Sequence, residues 1–307
     1  MRIGLIGLGK MGGNMRTRIR NAGIDVVGYD RDPALSDASD LADLVSQLPA
    51  PRIVWSMLPA GAVTQATVDR LADLLERGDL IIEGGNSRWT DDILHAEQLA
   101  PKGIGYVDAG VSGGVWGLAN GYALMVGGSD EDIATAQPLF DALKPPGESG
   151  FAHAGSVGAG HYAKMVHNGI EYGMMQAYAE GYELLEATGV VTDVPAVFTS
   201  WREGTVIRSW LLDLMVQALE ADPKLSRIRG YAEDSGEGRW TLEAGIEHAV
   251  PLPVLAAALF ARFSSRQDDS PTMKAVAALR NQFGGHAVRA EDLAAAQRSP
   301  EIQTEDR

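Results

Sequence analysis

The sequence predicts an α/β N-terminal domain with a Rossmann-type, doubly wound parallel sheet, followed by an all-α C-terminal domain. Short apolar runs alternate with helical stretches in the first part of the chain, which is the order that a parallel sheet requires. From Gly158 onward the apolar pattern is helical throughout. We therefore expect a sheet domain at residues 1–156, a helical domain at 157–290 and a flexible polar tail at 291–307.

The opening of the chain has the order strand, glycine-rich turn, helix, strand, acid. An apolar run at residues 2–7 leads into the motif GLGKMG at Gly7–Gly12, and a helical stretch follows to Asn21. A second apolar run, Asp25–Tyr29, ends at Asp30. A dinucleotide-binding βαβ unit requires this order, so the sequence predicts that the sheet domain binds a dinucleotide.

The residues of the turn have separate roles in that prediction. Gly7 permits the tight turn, Gly9 lets the pyrophosphate approach the backbone, and Gly12 lets helix and strand pack closely. Leu8 and Met11 belong to the same turn, and the helix that follows offers free N–H groups to the phosphates.

Asp30 and Arg31 indicate which dinucleotide to expect. A carboxylate at Asp30 accepts hydrogen bonds from the ribose hydroxyls of NAD and repels the 2′-phosphate of NADP. Arg31 has the opposite tendency, because a guanidinium can pair with that phosphate. We expect NAD as the preferred cofactor and NADP as a weaker alternative.

Three further strands are predicted to end in unusual loops on one edge of the sheet. The strands are Ile53–Met57, Asp79–Glu83 and Gly103–Asp108. Plain turns would also use small residues, but several such loops on one edge favour a binding site. The loop residues expected to line that site are Met57, Leu58, Asn86, Ser112, Gly113 and Gly114.

The remaining predicted elements complete both domains. Strand Tyr122–Val126, helix Asp130–Leu143 and a short strand near Phe151 close the sheet domain. After the helix that contains Lys164, the patterns predict helices at Ala196–Trp201, Val206–Leu219, Pro253–Phe263 and Pro271–Phe283.

One face of the helix that begins near Gly158 is polar where a packed helix is normally apolar. Its residues have the helical spacing i, i+3, i+4, i+7 and i+8, and they are Lys164, His167, Asn168, Glu171 and Tyr172. A solvated face with a Lys–Glu pair is the common alternative. However, Gly169 costs about 1 kcal/mol relative to Ala in a helix interior, which indicates close packing there. We predict that this face presents its polar groups to a cleft.

The composition limits the partners. The 307 residues carry a formal net charge of -15, which disfavours nucleic acid and anionic membranes. An anionic substrate therefore needs a local basic cluster, and Arg208, Arg239 and Thr241 lie in stretches rich in glycine and hydroxyls that suit a phosphate. Each arginine alone is more typical of a surface position, and only the two together favour a phosphate site. The chain has no cysteine and no run of 18 apolar residues, so we expect neither disulfides nor a membrane span, and a cytoplasmic location.

Together these residues resemble the decarboxylating 6-phosphogluconate dehydrogenase family in its short bacterial form. The resemblance covers nearly the whole chain, and its most specific stretch is KMVHNGIEY at Lys164–Tyr172. The glycine motif alone is shared with other β-hydroxyacid dehydrogenases. The other matching stretches are Gly7–Gly12, Gly84–Ser87, Val111–Gly114, Ile207–Ser209 and Arg280–His286.

The resemblance implies oxidative decarboxylation of 6-phosphogluconate to ribulose 5-phosphate and CO2, a reaction of the pentose phosphate pathway. It implies that Lys164 is the general base at the 3-hydroxyl and that Glu171 is the general acid, with His167 and Asn168 beside them. It implies no metal. The substrate-binding residues that it implies are Asn86, Ser112, Gly113, Gly114, His167, Asn168, Tyr172, Arg208, Arg239, Thr241, Arg280 and His286.

Arg280 and His286 resemble residues that reach into the neighbouring subunit's site in this family. The resemblance therefore implies a homodimer or homotetramer in which each site is completed by a neighbour.

Two alternatives stay open at this point. A β-hydroxyacid dehydrogenase that only oxidises would use Lys164 and Asn168, but it would not need Glu171, Tyr172 and the arginines. A catalytically silent sensor of NAD and a sugar phosphate would tolerate the loss of Lys164 or Glu171, and both are present.

Overall fold

The computed structural model describes residues 1–289 and contains one seven-stranded sheet. The strands are β1 (Arg2–Ile6), β2 (Asp25–Tyr29), β3 (Ile53–Ser56), β4 (Leu80–Glu83), β5 (Gly105–Ser112), β6 (Ala123–Gly127) and β7 (Phe151–Gly155). Their order in the sheet is β2-β1-β3-β4-β5-β6-β7. Strands β1 to β5 are parallel, β6 is antiparallel to β5, and β7 is parallel to β6. The predicted Rossmann-type sheet is confirmed, with a reversal of direction at β6.

Helices cover both faces of the sheet, as a doubly wound fold requires. They are α1 (Lys10–Asn21), α2 (Leu41–Ser46), α3 (Ala62–Leu74), α4 (Trp89–Leu99), α5 (Gly117–Asn120) and α6 (Asp130–Leu143). One core joins Ile3 and Trp55 of the strands to Met15 of α1 and Phe140 of α6. A second core, on the opposite face, includes Leu71 of α3 and is built with α2 and α4.

The chain after the sheet is helical, as predicted. The helices are α7 (Ala159–Thr188), α8 (Val194–Ser200), α9 (Trp210–Ala221), α10 (Glu237–Glu247), α11 (Pro253–Ser265) and α12 (Pro271–Gly284). The expected start of α9 at Val206 is wrong. The side chain of Ser209 accepts a hydrogen bond from the N–H of Leu212, so this serine caps the helix and Trp210 is its first residue.

Helix α10 was not predicted from the sequence, because its glycines are typical of turns. The structure shows why glycine is required at these positions of a helix. A Cβ on Gly238 would lie 2.6 Å from the ring of Tyr172, and a Cβ on Gly245 would lie 2.5 Å from Leu252. These glycines therefore permit close helix packing.

Two glycines also bring α7 against the sheet. A Cβ on Gly160 would lie 2.5 Å from the carbonyl oxygen of Met125 in β6, and one on Gly110 of β5 would lie 2.4 Å from Cβ of Lys164. This close approach places the first turns of α7 directly on β5 and β6.

Two compact units are distinguished. The first comprises Met1–Arg227 and Asp234–Leu259, and the second comprises Ile228–Glu233 and the described residues from Phe260 to Arg289. The domain boundaries expected after residues 156 and 290 stay predictions, and the tail expected at 291–307 lies outside the described residues. In the described part of the chain, no helix combines the length and apolar character needed to cross a membrane. The cytoplasmic location stays a prediction.

Candidate active site

The predicted site residues of the sheet lie where its parallel strands end. Gly7 follows β1, Asp30 follows β2, Met57 follows β3, and the loop of Asn86 follows β4. The loop expected after Asp108 is wrong in part, because β5 continues to Ser112 through pairing with β6. Ser112 is therefore the last residue of a strand, and Gly113 and Gly114 begin the loop.

The glycine-rich turn fits a dinucleotide. Gly7 has a φ of 84°, which favours glycine, and a Cβ on Gly12 would lie 1.9 Å from the Gly7 carbonyl oxygen. A Cβ on Gly9 would meet no atom within 4 Å, so the backbone is open there to a ligand. Gly9 directly precedes α1, whose N-terminal N–H groups suit a pyrophosphate.

Asp30 joins β2 to this turn. Its carboxylate accepts hydrogen bonds from the N–H of Leu8 at 2.7 Å and from the N–H of Asp32 at 3.0 Å. The bond from Asp32, followed by that from Leu8, lowers the pKa of Asp30 below its usual value against the effect of partial burial. The carboxylate is therefore charged at neutral pH, as an acceptor for ribose hydroxyls must be, while Arg31 is exposed.

The polar face of α7 is organised around the imidazole of His167. Its Nδ1 lies 3.5 Å from Nζ of Lys164, 3.1 Å from Oδ1 of Asn168 and 3.8 Å from Oε2 of Glu171. Its Nε2 lies 3.5 Å from Oγ of Ser112 at the end of β5. The structure thus brings four predicted residues of one helix together with a fifth from the sheet.

Burial favours the neutral form of the Lys164 amine. The residue is 8% exposed, and burial lowers the pKa of its amine, although the charges of Glu171 and then Glu237 act in the opposite direction. A lysine with a lowered pKa is more readily neutral, which a general base must be.

Glu237 was not predicted as a site residue. It is 1% exposed at the start of α10, and its Oε2 accepts a hydrogen bond from the hydroxyl of Ser235 at 2.6 Å. An acid between two glycines, two residues before Arg239, is the signal that could have identified it.

The residues expected to bind phosphate have definite partners. The hydroxyl of Tyr172 accepts the N–H of Ser235 at 3.2 Å, and Arg239 donates from Nε and Nη2 to Asp234 at 2.5 and 3.2 Å. The buried hydroxyl of Thr241 lies 3.0 Å from the carbonyl oxygen of Met165 and 2.7 Å from that of Glu237. A phosphate contact from Thr241 stays a prediction, and it would require this hydroxyl to leave those carbonyls.

The other predicted phosphate ligands lie farther along the chain. Arg208 is exposed in the loop before α9, with Nη1 3.9 Å from Oε2 of Glu203. Arg280, in α12, and His286, just after it, are also exposed. Their roles in substrate binding stay predictions.

The close packing expected at Gly169 is observed. A Cβ there would lie 2.8 Å from Cγ2 of Thr241 and 2.9 Å from Cδ2 of Leu255. Ile170, which follows it, is 52% exposed and does not face this contact.

Comparisons with known proteins agree with this geometry. The profile of the NAD-binding domain of 6-phosphogluconate dehydrogenase matches residues 2–146, and that of its C-terminal domain matches residues 160–299. A Bacillus subtilis protein provisionally named a 6-phosphogluconate dehydrogenase is 44% identical over 296 residues, 94% of this chain and 99% of its own. The NAD(+)-dependent, decarboxylating 6-phosphogluconate dehydrogenase of Haloferax volcanii is 38% identical over 95% of this chain and 100% of its own.

A solved structure is also similar. The 6-phosphogluconate dehydrogenase of Plasmodium falciparum, described as apo, with NADP+ and with 6-phosphogluconate, superposes with a TM-score of 0.77 at 26% identity. The match covers 95% of this chain and 67% of that one.

Proposed function

Because the chain belongs to the 6-phosphogluconate dehydrogenase family, we propose that it converts 6-phosphogluconate to ribulose 5-phosphate and CO2 while reducing NAD. The observation that carries the proposal is the arrangement on α7, where the buried amine of Lys164 lies 3.5 Å, and the carboxylate of Glu171 3.8 Å, from the same nitrogen, Nδ1, of His167. The NAD(+)-dependent, decarboxylating activity named for the Haloferax volcanii relative supports it.

Lys164 starts the reaction as the base. Its amine takes the proton of the substrate 3-hydroxyl. NAD, which Gly7–Gly12 and Asp30 would hold, would supply the acceptor for the hydride that leaves C3. The product of this step is a 3-keto acid, and Lys164 is left as an ammonium group. The lowered pKa of Lys164 supports this role, since only the neutral amine can accept the proton.

Decarboxylation follows because the new C3 carbonyl can receive electrons. The bond between C1 and C2 breaks, CO2 leaves, and its electron pair forms an enolate whose negative charge is on the C3 oxygen. The Lys164 ammonium returns its proton to that oxygen and gives an enediol. Glu171 then protonates the carbon that becomes C1 of ribulose 5-phosphate, and the neutral Lys164 amine takes the proton of the C3 hydroxyl as the ketone forms.

The remaining predicted residues hold the substrate. We assign its carboxylate and hydroxyls to Ser112, Gly113, Gly114, His167 and Asn168, with Asn86 near the nicotinamide. Oγ of Ser112 lies 3.5 Å from Nε2 of His167, which supports a common binding site, because one small acid can contact both residues.

The phosphate is assigned to Tyr172, Arg208, Arg239 and Thr241. Arg239 is paired with Asp234 in this structure, so the phosphate must share or replace that carboxylate. A guanidinium can form two parallel hydrogen bonds with either a carboxylate or a phosphate.

We further propose that each site is completed by Arg280 and His286 of a neighbouring copy, in a homodimer or homotetramer. Helix α12 supports this. Its apolar side chains are exposed at helical spacing, as expected for a helix that another copy covers, and they are Met273, Val276, Leu279 and Phe283.

The experiment that tests the function identifies the products. The purified protein is incubated with NAD and either 6-phosphogluconate or a small hydroxy acid without a phosphate, such as 3-hydroxyisobutyrate. Ribulose 5-phosphate and NADH from 6-phosphogluconate alone would support the proposal. Turnover of the small acid alone would indicate a simple β-hydroxyacid dehydrogenase, and binding without turnover would indicate a sensor.

A further inference from the structure

A cluster of buried ionisable groups lies at the base of the site, formed by Glu83 of β4, Asp92 of α4, Asp108 of β5 and His161 of α7. Nδ1 of His161 lies 2.7 Å from Oδ2 of Asp92, and its Nε2 lies 3.7 Å from Oε2 of Glu83. The imidazole is 1% exposed and the carboxylates of Glu83 and Asp92 are 0% exposed. The ring therefore has a carboxylate at each of its nitrogens.

This buried cluster connects two parts of the proposed site. On one side, Oε1 of Glu83 accepts the N–H of Gly85 at 2.8 Å, in the loop that carries Asn86. On the other side, the carboxylate of Asp108 accepts the N–H of His161 at 2.7 Å, one helical turn before Lys164. A hydrogen bond between Glu83 and His161 would therefore link the Asn86 loop to the helical turn before Lys164.

That contact is incomplete as it stands. Oε2 of Glu83 and Nε2 of His161 are both buried without a hydrogen-bond partner, although they face each other at 3.7 Å. A buried polar atom without a partner is costly, and a proton between these two atoms would satisfy both after a small movement.

We propose that Glu83 and His161 share one proton between Oε2 and Nε2, and that this hydrogen bond holds the Asn86 loop against α7 for catalysis. Both are positioning residues. The proton is on Nε2 when the pair is a carboxylate and an imidazolium, and on Oε2 when both are neutral. The inference rests on the proposed function, because the loop it positions is assigned to the substrate and cofactor.

The groups around the pair fix its orientation. From α4, Asp92 engages Nδ1, and His95 lies 3.1 Å from the hydroxyl of Tyr106. From β5, Tyr106 donates to Asp92 at 2.9 Å, which keeps that carboxylate an acceptor. Asp92 therefore selects the Nδ1–H form of the ring and leaves Nε2 directed at Glu83.

The ionisation of the buried cluster agrees with one shared proton. Burial raises the pKa of Glu83 to about 7 and that of Asp108 to about 6. Burial lowers the pKa of His161, but Asp92, Glu83 and Asp108 outweigh it and raise the value to about 10. The raised pKa values of both groups therefore favour a proton on the pair at neutral pH, and the pair loses that proton as the pH rises into the alkaline range.

A metal ion is the competing explanation. The ligand atoms of Glu83, Asp92 and His161 lie within 4.8 Å of one another. However, Glu83 contacts Nε2 of His161 and Asp92 contacts Nδ1, the opposite nitrogen of the same ring. A metal ion at Nε2 would therefore have Glu83 beside it, whereas Asp92 would contact only the other nitrogen. This arrangement favours hydrogen bonding over chelation.

Two substitutions of one residue test the proposal. In Glu83→Gln the amide oxygen can accept the N–H of Gly85 while the amide N–H donates to neutral His161, so the bond forms without a titrating proton. Glu83→Met has similar length and can do neither. We expect Glu83→Gln to keep kcat within about twofold of the wild type at pH 8, and Glu83→Met to lose about 100-fold because the loop is misplaced.

The pH profiles and thermal unfolding separate this role from a merely structural one. The pKa of His161 is higher in the folded protein than its ordinary value. Protonated His161 therefore contributes its full stabilisation of the fold at pH values below its ordinary pKa, and this contribution is lost as the pH rises toward 10. We expect the melting temperature and kcat of the wild type to fall over that range and those of Glu83→Gln to fall less. Glu247→Gln, an exposed change in α10, should match the wild type.

Three results would overturn the proposal. They are an equal loss of kcat in Glu83→Gln and Glu83→Met, an unchanged alkaline fall in the melting temperature of Glu83→Gln, or one equivalent of tightly bound metal per chain. If Glu83→Met does not fold, the comparison of Glu83→Gln with the wild type decides. If the wild type shows no turnover, the proposed function fails, and the melting temperatures still test the shared proton.

Discussion

Nζ of Lys164 lies 3.5 Å from Nδ1 of His167, one turn farther along the same face of α7. The same nitrogen lies 3.8 Å from Oε2 of Glu171, another turn along. The proposed base and acid therefore approach the same imidazole nitrogen from successive turns of one helix face, so both can act on one small substrate. We therefore expect oxidation and protonation to take place in one cleft.

Replacement of the proposed base should nearly abolish turnover. Lys164→Met keeps a chain of similar length and removes the amine, so we expect kcat to fall about 1,000-fold, within the usual contribution of a general base. Steady-state kinetics with 6-phosphogluconate and NAD measure this. The exposed Lys224→Met is the control, and a loss of less than tenfold in Lys164→Met would argue against the assignment.

Replacement of the proposed acid should slow turnover and spare binding. Glu171→Gln keeps the shape and removes the transferable proton, so we expect kcat to fall about 100-fold. The dissociation constant of 6-phosphogluconate, measured by calorimetry, should stay nearly unchanged. Unchanged turnover would remove Glu171 from the mechanism.

Neutralising Glu237 should shift the pH profile to lower pH. The charge of Glu237 raises the pKa of Lys164, against the lowering effect of burial. In Glu237→Gln the pKa of Lys164 therefore falls and the neutral amine persists to lower pH. The acidic limb of the pH profile of kcat/KM should then lie at lower pH than in the wild type. The exposed Glu247→Gln should leave that limb in place. A shift to higher pH in Glu237→Gln would contradict the electrostatic role.

Cofactor preference should depend on Asp30. We expect a lower KM for NAD than for NADP in the wild type, because the carboxylate accepts ribose hydroxyls and repels a 2′-phosphate. Asp30→Asn keeps an oxygen for the N–H of Leu8 but removes the charge, so the ratio of kcat/KM for NADP to that for NAD should rise. A wild type that prefers NADP would defeat this account.

Two glycines of α7 should respond oppositely to alanine. A Cβ on Gly169 would press on Thr241 and Leu255, so Gly169→Ala should destabilise the fold by about 1–3 kcal/mol. A Cβ on Gly181 would meet no atom within 4 Å, so Gly181→Ala should stabilise it by up to about 1 kcal/mol. Urea unfolding of both variants measures the difference. Equal effects would mean that α10 does not pack closely on α7.

The sheet and the polar face of α7 were predictable because their signals are local. The motif at Gly7–Gly12 lies between two strands in one short segment, and the spacing of Lys164 to Glu171 follows directly from helical geometry. Similarly, the cost of Gly169 indicated a close neighbour without identifying it.

The missed features depend on distant parts of the chain. Helix α10 was not predicted because a glycine such as Gly238 is typical of a turn in the sequence. Only the structure shows that Gly238 packs against the ring of Tyr172. The pairing of His161 with Asp92 joins residues 69 positions apart, and neither has a distinctive neighbour in sequence. The strand end at Ser112 likewise depends on its pairing with Ala123 of β6.

The release of carbon dioxide tests the central claim most directly. The wild-type protein is given NAD and 6-phosphogluconate with an isotopic label in its carboxyl carbon, and labelled CO2 and NADH are followed together. We predict equal molar yields of the two products. NADH without labelled CO2 would contradict oxidative decarboxylation and leave only a simple dehydrogenase.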